Sequence, residues 1–236
     1  AGAARDEDFI EYVHQANMHS TMMFFTEQGR LYWTKVYELP EGNRQSKGRA
    51  LQNMINIQKG DKVCAFIHVK NLSDQEYVQN HYLIFATKNG LMKKTTLESY
   101  SRPRTNGIIA LGLREDDRLI RVTLTDGKSQ MLVASYNGKV VRFPEDTVRP
   151  MGRTATGVRA IKLDEDGRDR VIGMICVEEG SKDSVLVISE KGYGKRTLLD
   201  DENGEAIYRI TNRGGKGVKT MNLSDKTGNL IGLEAV

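Results

Sequence analysis

Two cysteines in 236 residues are too few for a disulfide framework. Cys64 and Cys176 each stand inside an apolar, strand-like run, KVCAFIHV and VIGMICVEE, so both are predicted to be reduced core residues. Histidine is also sparse: His14, His19, His68 and His81 form no ligand pattern with the cysteines, and no metal is expected. No apolar run approaches the roughly 20 residues of a membrane-spanning helix, and the opening residues AGAARDEDF have no apolar signal-peptide core. The expected location is the cytoplasm. Also missing is any grouping of Ser, His and carboxylate that would make a hydrolase, so neither catalytic residues nor a cofactor are assigned to the chain. The run DEDG at Asp164 to Gly167 lacks the bidentate glutamate of a calcium loop and reads as a polar turn. Tyr32, Tyr37 and Tyr193 sit within or beside strand patterns, where aromatic rings are expected for packing rather than for strand cleavage.

What is present is a repeat. The segments MMFFTEQGRLYWTKV from Met22, YLIFATKNGLMKKTT from Tyr82, QMLVASYNGKVVRFP from Gln130 and SVLVISEKGYGKRTL from Ser184 share one grammar. Each runs from apolar residues through a small polar residue to a glycine, then into a second strand-like run carrying basic residues, which is the pattern of a β-hairpin. Gly29, Gly90, Gly138 and Gly192 fall where a tight hairpin loop needs positive φ, with Asn89-Gly90 and Asn137-Gly138 the clearest pairs. A second echo follows each hairpin, SKGRALQNMI, TNGIIALGL, ATGVRAIKL and GKGVKTMNL, and then a third strand, DKVCAFIHV, DRLIRVTL, RVIGMICV and NLIGLEAV. DFIEYVHQA near the start reads as one more copy of that third strand.

Units of several short strands without a convincing amphipathic helix predict an all-β, propeller-like pinwheel of about four or more four-stranded blades, as a closed ring or an open, truncated one. The repeats are placed at approximately 8–60, 61–116, 117–168 and 169–228, with a trailing strand at 229–236, and residues 1–236 are read as one domain. A two-layer sandwich also uses short strands but does not require fourfold recurrence of one strand order. Runs such as VLVI and LIFA lack clean alternation, which suits strands packed on both faces between neighbouring blades.

The net charge of +4 is small, but its distribution is not even. Residues 29–49, 90–108, 138–159 and 192–219 hold 20 Lys or Arg against 9 Asp or Glu, an excess of +11, and the rest of the chain holds 15 against 22, or −7. In a ring of blades these stretches occupy equivalent places and form a basic belt suited to duplex DNA. The predicted phosphate contacts are Arg44, Lys47, Arg49, Lys93, Lys94, Arg102, Arg104, Lys139, Arg142, Arg149, Arg153, Arg159, Lys195, Arg196, Arg209, Arg213, Lys216 and Lys219. The loop Asn212-Arg213-Gly214-Gly215-Lys216-Gly217 is singled out because successive glycines let backbone N–H groups turn towards an anion. A basic rim that recruits acidic protein partners is the alternative from another class.

EDFIEYV near the start, GRLYWTKVYELPEGNRQSKGRALQNMI from Gly29, GKVVRFPEDTVRPMGRTATGVRAIKL from Gly138 and GYGKRT from Gly192 resemble, in residue type and order, the repeat of the DNA gyrase A C-terminal domain. That domain is the β-pinwheel of bacterial type IIA topoisomerases, and the resemblance runs over essentially the whole chain. It implies a duplex bent around the basic perimeter with a positive wrap, which delivers a neighbouring segment to the cleavage gate for ATP-driven negative supercoiling. It implies as partners the rest of the gyrase A polypeptide and the gyrase B polypeptide in an A2B2 complex, with the cleavage tyrosine, ATP and magnesium all outside this sequence. The family's gyrase box, QRRGGKG, precedes the EDF segment and is expected just upstream of Ala1, with NRGGKG at Asn212 to Gly217 a degenerate copy. A final blade is also expected to be missing, so the sequence reads as a fragment. The related C-terminal domain of topoisomerase IV, which contacts DNA without gyrase-type wrapping, is the nearest alternative.

Overall fold

The computed structural model describes residues 14–43 and 46–236. The predicted strand EDFIEYV and the predicted contact Arg44 lie outside the described residues. Among the described residues fifteen strands follow in chain order, and the first five carry the logic of the whole: β1 (Thr21–Thr26), β2 (Arg30–Lys35), β3 (Val63–Val69), β4 (Tyr82–Thr87) and β5 (Leu91–Thr96). The rest are β6 (Ile108–Ile109), β7 (Leu119–Thr125), β8 (Ser129–Ser135), β9 (Lys139–Pro144), β10 (Val158–Arg159), β11 (Val171–Glu178), β12 (Ser184–Ser189), β13 (Gly194–Leu198), β14 (Val218–Lys219) and β15 (Leu230–Ala235).

Each hairpin forms for the same local reason. In β4–β5 the N–H of Gly90 donates to the carbonyl of Thr87 at 3.1 Å, and Gly90 takes φ +89°, giving a three-residue loop that ends in a left-handed glycine. The small polar residue before the turn is buried and accepts from the N–H just past the glycine. Thr26, Thr87, Ser135 and Ser189 do this for Arg30, Leu91, Lys139 and Tyr193 at 3.1, 3.2, 3.4 and 3.2 Å. An aspartate ahead of the third strand locks the first three turns from outside: Asp61, Asp117 and Asp169 accept from the N–H of Gln28, Asn89 and Asn137.

Four antiparallel sheets result, ordered β3-β1-β2-β6, β7-β4-β5-β10, β11-β8-β9-β14 and β15-β12-β13. The two-residue strands are exchanged. The β6 strand of the second repeat pairs with β2 of the first, β10 with β5, and β14 with β9. This explains the second glycine of the repeat. A Cβ on Gly157 would lie 2.2 Å from the carbonyl oxygen of Met92, so only glycine lets the incoming segment press against the preceding blade. A repeat frame opening at the third strand, as in 61–116, therefore divides each blade between two frames, because β7 pairs with the hairpin that precedes it.

The core is a series of slabs between blades. Leu83 and Phe85 of β4 face Met23 and Phe25 of β1, while Ile84 and Ala86 of the same strand face Met131 and Val133 of β8. Leu132 and Ala134 on the opposite face of β8 continue to Val185 and Val187 of β12. Strands buried on both faces are why the runs do not alternate. The inner strands of the four sheets, β3, β7, β11 and β15, line a cavity of about 340 Å³ with Cys64, Arg121, Cys176 and Glu234 on its wall. Arg121 of β7 pairs with Glu234 of β15 at 3.0 Å. Both cysteines are free, and each is half-buried and packs against a core cluster, Cys64 between the first two blades and Cys176 between the second and third. Burial still pushes the Cys64 thiol up to about 12 and raises that of Cys176 further.

Two local features are not visible in the sequence pattern. A short helix, α1 (Gln75–Asn80), starts at Asp74, whose side chain accepts from the N–H of Tyr77 at 3.1 Å. The first echo, SKGRALQNMI, forms no strand: residues 46–50 are irregular and a 3-10 turn follows at Leu51–Asn53. By the exchange pattern its partner would be an earlier hairpin, and there is none among the described residues. No helix among the described residues is long and apolar enough to cross a membrane.

Candidate nucleic-acid interface

After the second hairpin strand of the first three repeats, the chain makes a 3-10 turn, at Val36–Glu38, Leu97–Tyr100 and Glu145–Thr147. In the second and third repeats the following loop then runs along the edge of the preceding blade before donating the exchanged strand. These loops carry Arg102 and Arg104 in the second repeat and Arg149 and Arg153 in the third. Hydrogen bonds hold consecutive loops in a row. The Arg153 Nη1 group donates to the carbonyl of Ile109, and at the equivalent place one repeat later the Arg213 Nη1 group donates to the carbonyl of Arg159 at 2.6 Å. Backbone bonds follow the same rule: Gly112 N–H to Ala155 O at 3.1 Å, and Lys162 N–H to Gly215 O at 2.8 Å.

Between the first and second loops lies a groove of about 580 Å³ lined by Trp33, Tyr37, Arg49 and Arg104. A second groove of about 300 Å³ joins the second and third loops and is lined by Arg102, Arg104 and Arg153. Thus Arg49, Arg104, Arg102 and Arg153 stand along adjoining grooves although they come from three repeats. Carboxylates do enter this row, as Glu38 in the first groove and Glu98 in the second. The fourth repeat carries more: Asp200, Asp201, Glu202 and Glu205 occupy one turn, closed by Asp201 accepting from the N–H groups of Asn203 and Glu205, each at 2.8 Å.

Among the described contacts predicted from sequence, Lys47, Arg49, Arg102, Arg104, Arg149, Arg159, Lys195, Arg196, Arg209, Lys216 and Lys219 are exposed. Arg153, Arg213 and Lys139 are half-buried, and Lys139 is paired with Asp164 at 2.5 Å. Three predictions are corrected. Lys93 is fully buried, with its ammonium on the Tyr100 hydroxyl at 3.1 Å and the carbonyl of Ala110 at 2.5 Å. Lys94 is 4% exposed and paired with fully buried Glu145 at 3.2 Å. Arg142 is 5% exposed and bonds Gln130, Asp200 and the carbonyls of Leu199 and Tyr208. None of the three presents its charge to a phosphate.

The glycine loop is also different from the predicted backbone cradle. The N–H of Gly214 donates to Ala160 at 2.8 Å and that of Gly215 to Asn212 at 3.4 Å, so the loop offers exposed Lys216 rather than a ring of N–H groups. Of the three tyrosines, Tyr32 is buried in β2, whereas Tyr37 and Tyr193 are 63% and 42% exposed, contrary to the packing role expected of them. Lys35, inside the basic stretch but outside the predicted set, lines the larger groove. Its signal in the sequence is membership of that stretch. The Asp164–Gly167 run is a hydrogen-bonded turn in which Asp164 and Asp166 both accept from the Asn137 amide. No group of residues suited to a metal ion occurs among the described residues.

The family model described as the DNA gyrase C-terminal domain, a β-propeller, matches residues 20–70, 81–126, 130–178 and 183–236. The DNA gyrase A proteins of Staphylococcus aureus strains NCTC 8325 / PS 47 and COL are 42% identical over 231 residues, covering 98% of this chain and 25% of each relative. The chain thus spans about a quarter of the length of these curated relatives. Among solved structures, a topoisomerase IV C-terminal domain superposes with a TM-score of 0.78 at 25% identity, covering 93% of this chain and 64% of the other. A DNA gyrase A C-terminal domain gives 0.71 at 22% identity, covering 94% and 67%, and shares the fold. Four matched segments, each a hairpin with its following inner strand, and relatives at 42% identity place the chain in the DNA gyrase C-terminal domain family of β-propellers.

Proposed function

We propose that the chain binds duplex DNA through its phosphates, without reading sequence, and bends it around the basic rim. Joined to the rest of a gyrase A polypeptide and to gyrase B in an A2B2 complex, it would support ATP-dependent negative supercoiling. The observation that carries this reading is that Arg49, Arg104, Arg102 and Arg153, from three successive repeats, line adjoining grooves. Exposed Lys and Arg side chains on such a row displace condensed counterions, whichever bases lie beneath. Smooth bending of a 20–30 base-pair site costs about 1–6 kcal/mol, which a track of several phosphate contacts can offset. ATP, magnesium and the cleavage tyrosine belong to other parts of the assembly in this reading.

The test is duplex affinity against salt. Six to ten phosphate contacts predict a loss of about 10³–10⁵ in affinity between 50 and 200 mM salt. A flat response, or no binding at the lower concentration, rejects DNA in favour of an acidic protein partner. The topoisomerase IV superposition supports a second reading, in which DNA is positioned without being wrapped. Sealing nicked circular DNA in the presence of the protein separates the two, since only a chiral wrap changes the linking number.

A further inference from the structure

In three consecutive repeats, the fourth residue after the hairpin glycine carries a side-chain N–H donor that reaches into the next repeat. Counting from Gly29, Gly90 and Gly138, these are Trp33, Lys94 and Arg142. Trp33 Nε1 donates to the carbonyl of Tyr100 at 3.0 Å. Lys94 Nζ lies 3.2 Å from Glu145 Oε1, and Arg142 Nη1 donates to the carbonyl of Tyr208 at 3.1 Å and to Asp200 Oδ1 at 3.0 Å. Indole, ammonium and guanidinium are chemically unlike, yet each ends on the segment just before a basic loop: Tyr100 precedes Arg102, Glu145 precedes Arg149, and Tyr208 adjoins Arg209. The main chain of two of the same residues holds the loop itself. The carbonyl of Lys94 accepts from the N–H of Met151, and that of Arg142 from Thr211, both at 2.8 Å.

We propose that Trp33, Lys94 and Arg142 are positioning residues that set the offset between successive basic loops and, through it, the curvature imposed on bound DNA. The proposal rests on the reading of the loops as the DNA-contacting surface. A buried donor or ion left without its partner is costly, so each seam tolerates only a narrow range of offsets. Phosphates gripped by one loop are insensitive to the angle between loops. A bent duplex needs several loops in register at once.

The experiment uses the full-length gyrase A polypeptide carrying this domain, assembled with gyrase B, and two readouts: affinity for a short linear duplex, and linking-number change on sealing nicked circular DNA. Trp33→Phe removes the N–H and keeps a ring at a half-buried site, Arg142→Lys keeps the charge but not the planar fork, and Lys94→Met removes the ion. The expected result is a short-duplex affinity within about twofold of the parent and a linking-number change reduced about fivefold or more, the scale of one lost buried hydrogen bond. Arg142→Lys is expected to retain more of the change than Arg142→Met. Equal losses in both readouts, or an unaltered linking-number change in folded variants, overturn the proposal. If Lys94→Met or Arg142→Met fails to fold, Trp33→Phe decides alone. A parent protein that binds no DNA defeats the DNA reading itself, an outcome distinct from parent wrapping that the variants leave intact.

Discussion

The ammonium of Lys93 donates to the carbonyl oxygen of Ala110 at 2.5 Å in a site with no solvent exposure. Ala110 follows the exchanged strand β6, and the same ammonium also donates to the carbonyl of Arg153 in the third basic loop. One lysine of β5 therefore ties together two successive loops. Its charge also sits over the Phe85 ring, 4.8 Å from the centroid.

Burial, and secondarily the charge of Arg153, lowers the pKa of Lys93 from 10.5 to about 7. The unfolded chain therefore binds this proton more tightly than the folded one. By linkage, the Lys93 contribution to stability is at its least favourable below about pH 7 and rises between that value and the unfolded pKa of 10.5. Thermal melts of the parent and of Lys93→Met should accordingly diverge, with the difference shifting in favour of the parent as pH is raised from 7 towards 10. A pH-independent difference would show that Lys93 keeps an ordinary pKa.

Gly157→Ala should destabilise the second blade by about 2–4 kcal/mol, since the new methyl group has to adopt φ +103° and would meet the main chain of Met92 at 2.2 Å. Gly167→Ala, at φ +74° with open space around it, isolates the cost of the dihedral alone and should cost about 1 kcal/mol. Urea denaturation of both variants measures the gap. Equal losses would mean that the exchanged segment yields readily.

Removing one partner of the Lys94–Glu145 pair should cost about 3–5 kcal/mol, because the other is left charged in a dry site. Glu145 also accepts from the Thr125 hydroxyl and from the N–H of Ser129, so Glu145→Gln strands more donors than Lys94→Met does. The double variant Lys94→Met with Glu145→Leu should lose less than the sum of the single changes. Chemical denaturation in a double-mutant cycle reads the coupling.

For DNA, the exposed and buried cations should separate cleanly. Lys216→Ala or Arg104→Ala should lower the magnitude of the slope of log affinity against log salt by about 1 each. Lys93→Met should leave the slope unchanged in the folded protein, as its ammonium faces carbonyls rather than solvent. A change in slope on replacing Lys93 would return that residue to the binding surface.

The hairpins are legible because their signals are local. Asn89-Gly90 and Asn137-Gly138 form the turns that the dipeptides predict, and the small polar residue before each turn proves to be the acceptor for the N–H beyond the glycine. Exchange of β6, β10 and β14 is not legible. A two-residue strand has too little pattern to reveal its partner, and the second glycine signals a close approach without saying to what. The charge pattern locates the basic stretches but misassigns Lys93, Lys94 and Arg142. On an exposed sheet, alternation would tell outward from inward. Here β5 and β9 are covered on both faces, and a long aliphatic stem can carry a cation into a slab of core as readily as out to solvent.

Strand exchange also fixes how the molecule comes apart. Each of the first three blades is clasped by a piece of its successor, so melting one unit strips the outer edge from the unit before it and leaves that edge open to pair with another chain. Damage near the fourth hairpin should accordingly be felt at β9, where β14 is the clasp.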